Sequence, residues 1–213
     1  MPMKHALTAL AALAAGFFAA APAAAPAPAV ELVGAGRTQA LALASKALND
    51  ARAVQGKFLQ IAPDGTATQG EFYLQRPGKL RFEYDPPAQM TIVADGSQLS
   101  VADRALKTEE RYPLRATPLY FVLKNNIDLN ADAHVTHVIY DDDLLAVTMR
   151  DRKGQADGAI TLFFDEPTRE LRKWQVVDGT GAVTQVALSQ VRSVDGFDQK
   201  LFYLKPPPTI HHR

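Results

Sequence analysis

His134 and His137, Asp141-Asp142-Asp143, Glu109-Glu110 and Trp174 are the residues whose types and spacing could do chemistry. Each has a plainer reading. An H-x-x-H pair suits a shared metal on a helix, but its segment alternates as a strand, which sends the two rings to opposite faces. Three adjacent Asp could hold a hard cation; between two apolar runs they read as a solvated hairpin tip. Glu109-Glu110 read as a solvated strand end. Trp174, between Lys173 and Gln175 in a strand, reads as core packing, with ligand contact as the alternative. G-x-S-x-G, H-E-x-x-H, a phosphate loop and G-x-G-x-x-G are all absent. The chain has no Cys. That removes disulfides, thiolate zinc sites, iron–sulfur clusters, a cysteine nucleophile and a lipid on an N-terminal Cys. We therefore expect neither an enzyme nor a bound cofactor or metal.

Composition narrows the partners. The 213 residues hold 23 bases and 23 acids, and a balanced charge argues against nucleic acid or an anionic membrane surface as the main partner. The chain is long enough for a sizeable core in one domain. Its start has one base, Lys4, then a run without charge from Ala6 to Ala20, then APAAAPAPA. That is the pattern of a secretory signal peptide over residues 1–29, cut after Ala23 or Ala29. The apolar run of about 15 residues is shorter than a membrane span needs. Residues 30–213 are then one exported domain, and the Ala-rich signal points to the bacterial periplasm.

The elements follow from periodicity. Leu41, Ala44, Leu48 and Ala51 share one face of a helix over Gly34 to Asn49, with Thr38 as its expected N-cap and Asn49-Asp50 as its stop. From Phe58 the period becomes two. Short strands separated by Asp64-Gly65, Pro77-Gly78, Asp95-Gly96, Lys153-Gly154 and Asp178-Gly179 predict about ten antiparallel strands rather than βαβ units. Thr117-Pro118 before Leu119 to Leu123 predicts one short apolar helix inserted midway, capped by Thr117. Leu201 to Leu204 reads as a last edge strand.

Phe58, Phe72, Leu74, Leu80, Phe82, Met90, Ile92, Leu145, Val147, Met149, Ile160, Leu162, Phe164, Trp174 and Val176 fall at alternating strand positions. In a sandwich they would face one another. In a half barrel they would line one concavity with only two helices to fill it. Alternation alone does not choose between these.

One run is more specific. Gly70 to Pro87, which contains R-P-G-K-L-R-F-E-Y-D-P-P, resembles the signature of the LolA family of periplasmic lipoprotein carriers. Ala53 to Gln60, the V-x-D-G turn at Val93 to Gly96, the apolar segment Thr117 to Leu123, the late hairpin from Leu171 to Gly181 and Phe202 before the prolines follow in the family's order. The resemblance runs from Arg37 to Pro207. Leu80 departs from it, standing where many members carry Phe.

The resemblance implies a mainly β fold with helices: one curved antiparallel sheet forming an unclosed barrel under a helical lid. It implies a cavity for lipoprotein acyl chains, whose candidate residues are Phe58, Phe72, Leu74, Leu80, Phe82, Met90, Ile92, Leu119, Phe121, Val122, Met149, Leu162, Phe164 and Trp174. Arg76 is implied as a latch that hydrogen-bonds lid carbonyls. The implied partners are acylated lipoproteins, an inner-membrane ABC transporter of the LolCDE type and an outer-membrane acceptor such as LolB, with the carrier itself a monomer. Three acyl chains of some 40 methylenes represent on the order of 30 kcal/mol of hydrophobic transfer, so such cargo needs a shielded route through water. The alternative is an exported half barrel that binds another lipid or serves as an envelope sensor.

Overall fold

The computed structural model describes residues 28–141, 143–152, 157–166 and 168–204. Among the described residues, twelve strands form one antiparallel sheet. They are β1 (Val30–Glu31), β2 (Ala53–Ile61), β3 (Ala67–Gln75), β4 (Lys79–Tyr84), β5 (Met90–Asp95), β6 (Gln98–Asp103), β7 (Thr108–Pro113), β8 (Ala133–Asp141), β9 (Leu144–Asp151), β10 (Ala159–Asp165), β11 (Leu171–Val177) and β12 (Val183–Ser193). The order across the sheet is β1-β8-β9-β10-β11-β12-β2-β3-β4-β5-β6-β7. Two meanders are thus joined side by side through β12 and β2, and the sheet stays open between β1 and β7.

The period-two pattern explains the inner face. In β4, Leu80, Phe82 and Tyr84 are buried while Lys79, Arg81 and Glu83 point the other way. Three helices, α1 (Gly34–Asp50), α2 (Tyr120–Leu123) and α3 (Leu129–Asp132), lie against the inner face. Leu41, Leu48, Phe121, Leu123 and Leu129 share one core with Phe58, Phe72, Leu145 and Leu162. The alternation therefore resolves as one continuous sheet covered by helices, not as two sheets face to face.

Four local expectations change. The helix α1 begins at Gly34, in a left-handed conformation open to glycine, with Val33 as N-cap. Thr38 lies inside the helix and donates to Gly34 O at 3.2 Å instead of capping it. The inserted helix is a single α-turn; Thr117 turns its hydroxyl back to Leu114 O at 2.8 Å and closes a 3-10 turn at Leu114–Ala116. A further turn of helix, α3, follows, with the Asp128 carboxylate accepting from Asn130 N. Leu201 to Leu204 is not a strand: Gln199–Phe202 forms a 3-10 turn. It buries Phe202 against the outer face, where Lys79 lies over its ring and Arg81 donates to Leu201 O.

A bulge in β8 between Val135 and His137 alters the alternation there. His134 is exposed, and His137 Nδ1 lies 3.3 Å from Glu31 Oε2. The expected signal segment lies outside the described residues except for Pro28 and Ala29, as do Asp142, Lys153-Gly154 and the proline tail.

Candidate functional site

Helix α1 divides its surface into three stripes by its 3.6-residue period. Leu41, Ala44 and Leu48 face the core. Ser45 and Asn49 face α3. Leu43, Lys46, Ala47 and Asp50 face an apolar cavity of about 470 Å³ between α1 and the strands β2, β3, β4, β11 and β12. Leu43 and Ala47 are only half-buried because they border this cavity. The strands contribute Val54, Phe72, Leu74, Leu80, Leu171, Trp174, Leu188 and Val191. Lys46, Asp50, Thr168, Arg169 and Glu170 bring polar groups to the lining; Lys46 is paired with Asp50, and Arg169 with Glu166.

Arg76 stands where three pieces of chain meet. It follows β3 in the turn to β4 and also lines the cavity. Its Nε donates to Val122 O at 2.9 Å, and its Nη1 donates to Ala51 O. Two residues on, Gly78 N donates to Leu123 O at 2.7 Å. Ala51 is the C-cap of α1, and Val122 and Leu123 end α2. Helix C-termini leave carbonyls without intrahelical donors and carry partial negative charge. A planar guanidinium with several diverging donors suits two such carbonyls. Burial pushes the Arg76 pKa down to about 10. The group is still cationic at neutral pH, and among the described residues no carboxylate forms an ion pair with it.

The other side of the lid is held by neutral polar bonds to α1 and by an exposed bond from Arg152 Nη2 to Asn130 O at 3.4 Å. Asn49 Nδ2 donates to Ile127 O at 2.8 Å, and Ile127 N donates to Asn49 Oδ1 at 2.9 Å. Ser45 Oγ accepts from Leu129 N at 3.0 Å and donates to Leu41 O at 2.7 Å. Lys124 Nζ meets Asp132 Oδ2 at 2.5 Å across the α2–α3 connection.

The structure sorts the candidate residues into two groups. Phe72, Leu74, Leu80 and Trp174 line the cavity beside Arg76. Phe58 and Phe82 do not line it; they form an edge-to-face pair at 4.5 Å, and Phe82 meets Trp174 at 6.0 Å. Phe121 and Val122 are buried lid residues, and Leu119, Met90 and Ile92 pack half-buried against the same core. Met149, Leu162 and Phe164 are buried in the core of the β9–β10 half.

Sequence reasoning missed the stripe Leu43, Ala47, and with it the polar stitches Ser45 and Asn49. It also missed Leu188 and Val191, which are three apart and so break a period of two. A bulge between Ser189 and Arg192, with Gln190 at φ 51°, brings both to the inner face.

Comparison with known proteins adds a family. The family described as outer membrane lipoprotein carrier protein LolA matches residues 49–205. The outer-membrane lipoprotein carrier protein of Halorhodospira halophila is 28% identical over 175 residues, covering 76% of this chain and 79% of that protein. That of Legionella pneumophila strain Corby is 29% identical over 184 residues, covering 82% and 89%. A solved putative outer membrane lipoprotein-sorting protein domain from Vibrio parahaemolyticus superposes with a TM-score of 0.50 at 12% identity, covering 79% of this chain and 97% of that one. At that identity the likeness concerns the fold alone.

Proposed function

The chain belongs to the LolA family of outer membrane lipoprotein carriers, and from that premise we propose that it is a periplasmic chaperone for lipoproteins. It takes the acyl chains of lipoproteins released from the inner membrane and carries them to the outer membrane. The observation that carries this reading is the bridge from Arg76 to Ala51 O and Val122 O beside an apolar cavity. Such a bridge ties the lid to the sheet with hydrogen bonds that a lid movement can break. Residues 1–29 are the export signal and residues 30–213 the carrier domain, acting as a monomer. An ABC transporter of the LolCDE type loads it, and an acceptor of the LolB type unloads it.

The carrier's cycle follows from the relative energies. Each buried methylene contributes about 0.8 kcal/mol, so cargo outweighs a latch of a few kcal/mol and opens it. Reclosure of the latch competes with whatever part of the cargo needs the lid open and so favours release. The test is a transfer assay with Arg76→Leu, using a purified triacylated lipoprotein and outer-membrane vesicles bearing an acceptor. Loading should persist and release should slow. Release at the normal rate would remove Arg76 from the mechanism, and failure of both proteins to take up lipoprotein would remove the carrier reading.

A further inference from the structure

The volume of the cavity sets a limit that its apolar chemistry does not. An apolar cavity of about 150 Å³ accepts one benzene, six carbons. The cavity here is about 470 Å³, room by that measure for about 18–19 carbons. That is one long saturated acyl chain. A second or third chain needs two or three times the space, and among the described residues the part of the concave face beneath α2 is filled. Phe121, Val122, Leu123 and Leu129 of the lid are at most 5% exposed. The gap between Pro118, Phe121, Met149 and Ile160 is too small for a water molecule.

We infer that the latched protein holds a single acyl chain of up to about 18 carbons, and that further chains enter only when the α2–α3 lid leaves the sheet. This rests on the carrier reading of the same cavity and adds a capacity to it. The bonds that hold the lid lie on its α2 side, at Val122 and Leu123, and on its α3 side, at Ile127, Leu129 and Asn130. None has to break for one chain to fill the space beneath α1. The residues that second and third chains would displace are those of α2 and the start of α3.

Two reporters are built into the chain. Trp174 is its only Trp and lines the cavity, so its fluorescence reads occupancy. Gly78 N–H donates to Leu123 O, so its hydrogen exchange reads closure. The probes are saturated fatty acids of about 8 to 22 carbons, a range set around the expected capacity, and a synthetic triacylated lipopeptide. Affinity for the fatty acids should rise about fourfold per methylene and level off near about 18 carbons. Native mass spectrometry should show one palmitate per chain. Gly78 should stay protected with palmitate and exchange faster with the lipopeptide. Ala47→Phe adds a six-carbon ring to the lining and should bring the plateau down to about 12 carbons; Leu188→Phe repeats the test from the opposite wall should the first variant fold poorly.

Two palmitates bound with Gly78 still protected would overturn the one-chain limit. So would affinity that keeps rising past about 20 carbons, or loss of Gly78 protection with palmitate alone. Lipopeptide binding without palmitate binding leaves the carrier reading and removes the limit. Palmitate binding at one per chain without lipopeptide binding does the reverse.

Discussion

Replacing Arg76 by Leu should loosen the lid without unfolding the protein. The depression of its pKa from 12.5 to about 10 corresponds to a burial cost of about 3 kcal/mol for the cation. Its two charge-assisted bonds to Ala51 O and Val122 O contribute about 1.5–3 kcal/mol each. The difference, about 0–3 kcal/mol, is what the guanidinium adds to closure. Leu removes both terms and exposes two carbonyls to whatever water enters. Global stability in urea should therefore change by no more than about 3 kcal/mol, while exchange at Gly78 N–H rises by up to about 150-fold. Arg76→Lys should resemble Leu in exchange, because an ammonium lacks the planar fork that reaches two carbonyls. A loss of stability well beyond about 3 kcal/mol would mean that Arg76 braces the core. Unchanged Gly78 exchange would refute the latch directly.

Other outcomes follow from single contacts. Asn49→Ala removes both bonds to Ile127 and should cost about 1–3 kcal/mol, with faster exchange at Ile127 N–H read by NMR. Phe202→Ala empties a fully buried site on the outer face and should cost about 3–5 kcal/mol in denaturant titration, while palmitate binding read by Trp174 keeps its chain-length plateau. Burial raises the pKa of Tyr84 far above 10, and the hydrogen bond to Glu71, with burial, raises that of Tyr73 to about 12. Both groups are protonated in the native and unfolded chains below pH 10. Above it the unfolded chain ionises first, so their contribution to stability is lost as pH rises from 10 toward the native values. Tyr84→Phe should flatten that alkaline fall, measured as denaturation midpoints between about pH 9 and 11.

The strands were legible because one face is buried along most of their length. In β10, Ile160, Leu162 and Phe164 are buried, as their alternating positions predict. The order of the sheet was not legible from the same pattern, since nothing in β12 or β2 alone says that these two strands join the meanders. Val30–Glu31 is two exposed residues with no period to read. Caps failed where a polar side chain had more than one carbonyl in reach: Thr38 and Thr117 both donate backward, to Gly34 O and Leu114 O. In the site, Arg76 was legible only through its motif. Its acceptors, Ala51 O and Val122 O, are backbone atoms and leave no trace in residue type. Lining and core candidates such as Leu74 and Leu162 were inseparable, because alternation says which face a residue takes but not whether that face is filled.

The lid is fastened unequally, and the inequality suits a carrier. On the α3 side the inward partners are neutral, an amide paired with the backbone of Ile127 and a hydroxyl accepting from Leu129 N, and Arg152 reaches Asn130 O only from the solvent-exposed edge. These groups are readily satisfied by water when they part, so their net worth is modest and insensitive to what enters the cavity. On the α2 side the fastening is a cation held among apolar groups, and its strength depends on the medium. An acyl chain beside Arg76 excludes water, which strengthens the guanidinium's bonds while they last and raises the cost of leaving the cation unpaired once they break. A filled but latched cavity should thus be the tighter state, and an opened one should be driven either to load fully or to close. A hydrophobic side chain at position 76 would erase that difference and leave the apolar cargo where it is.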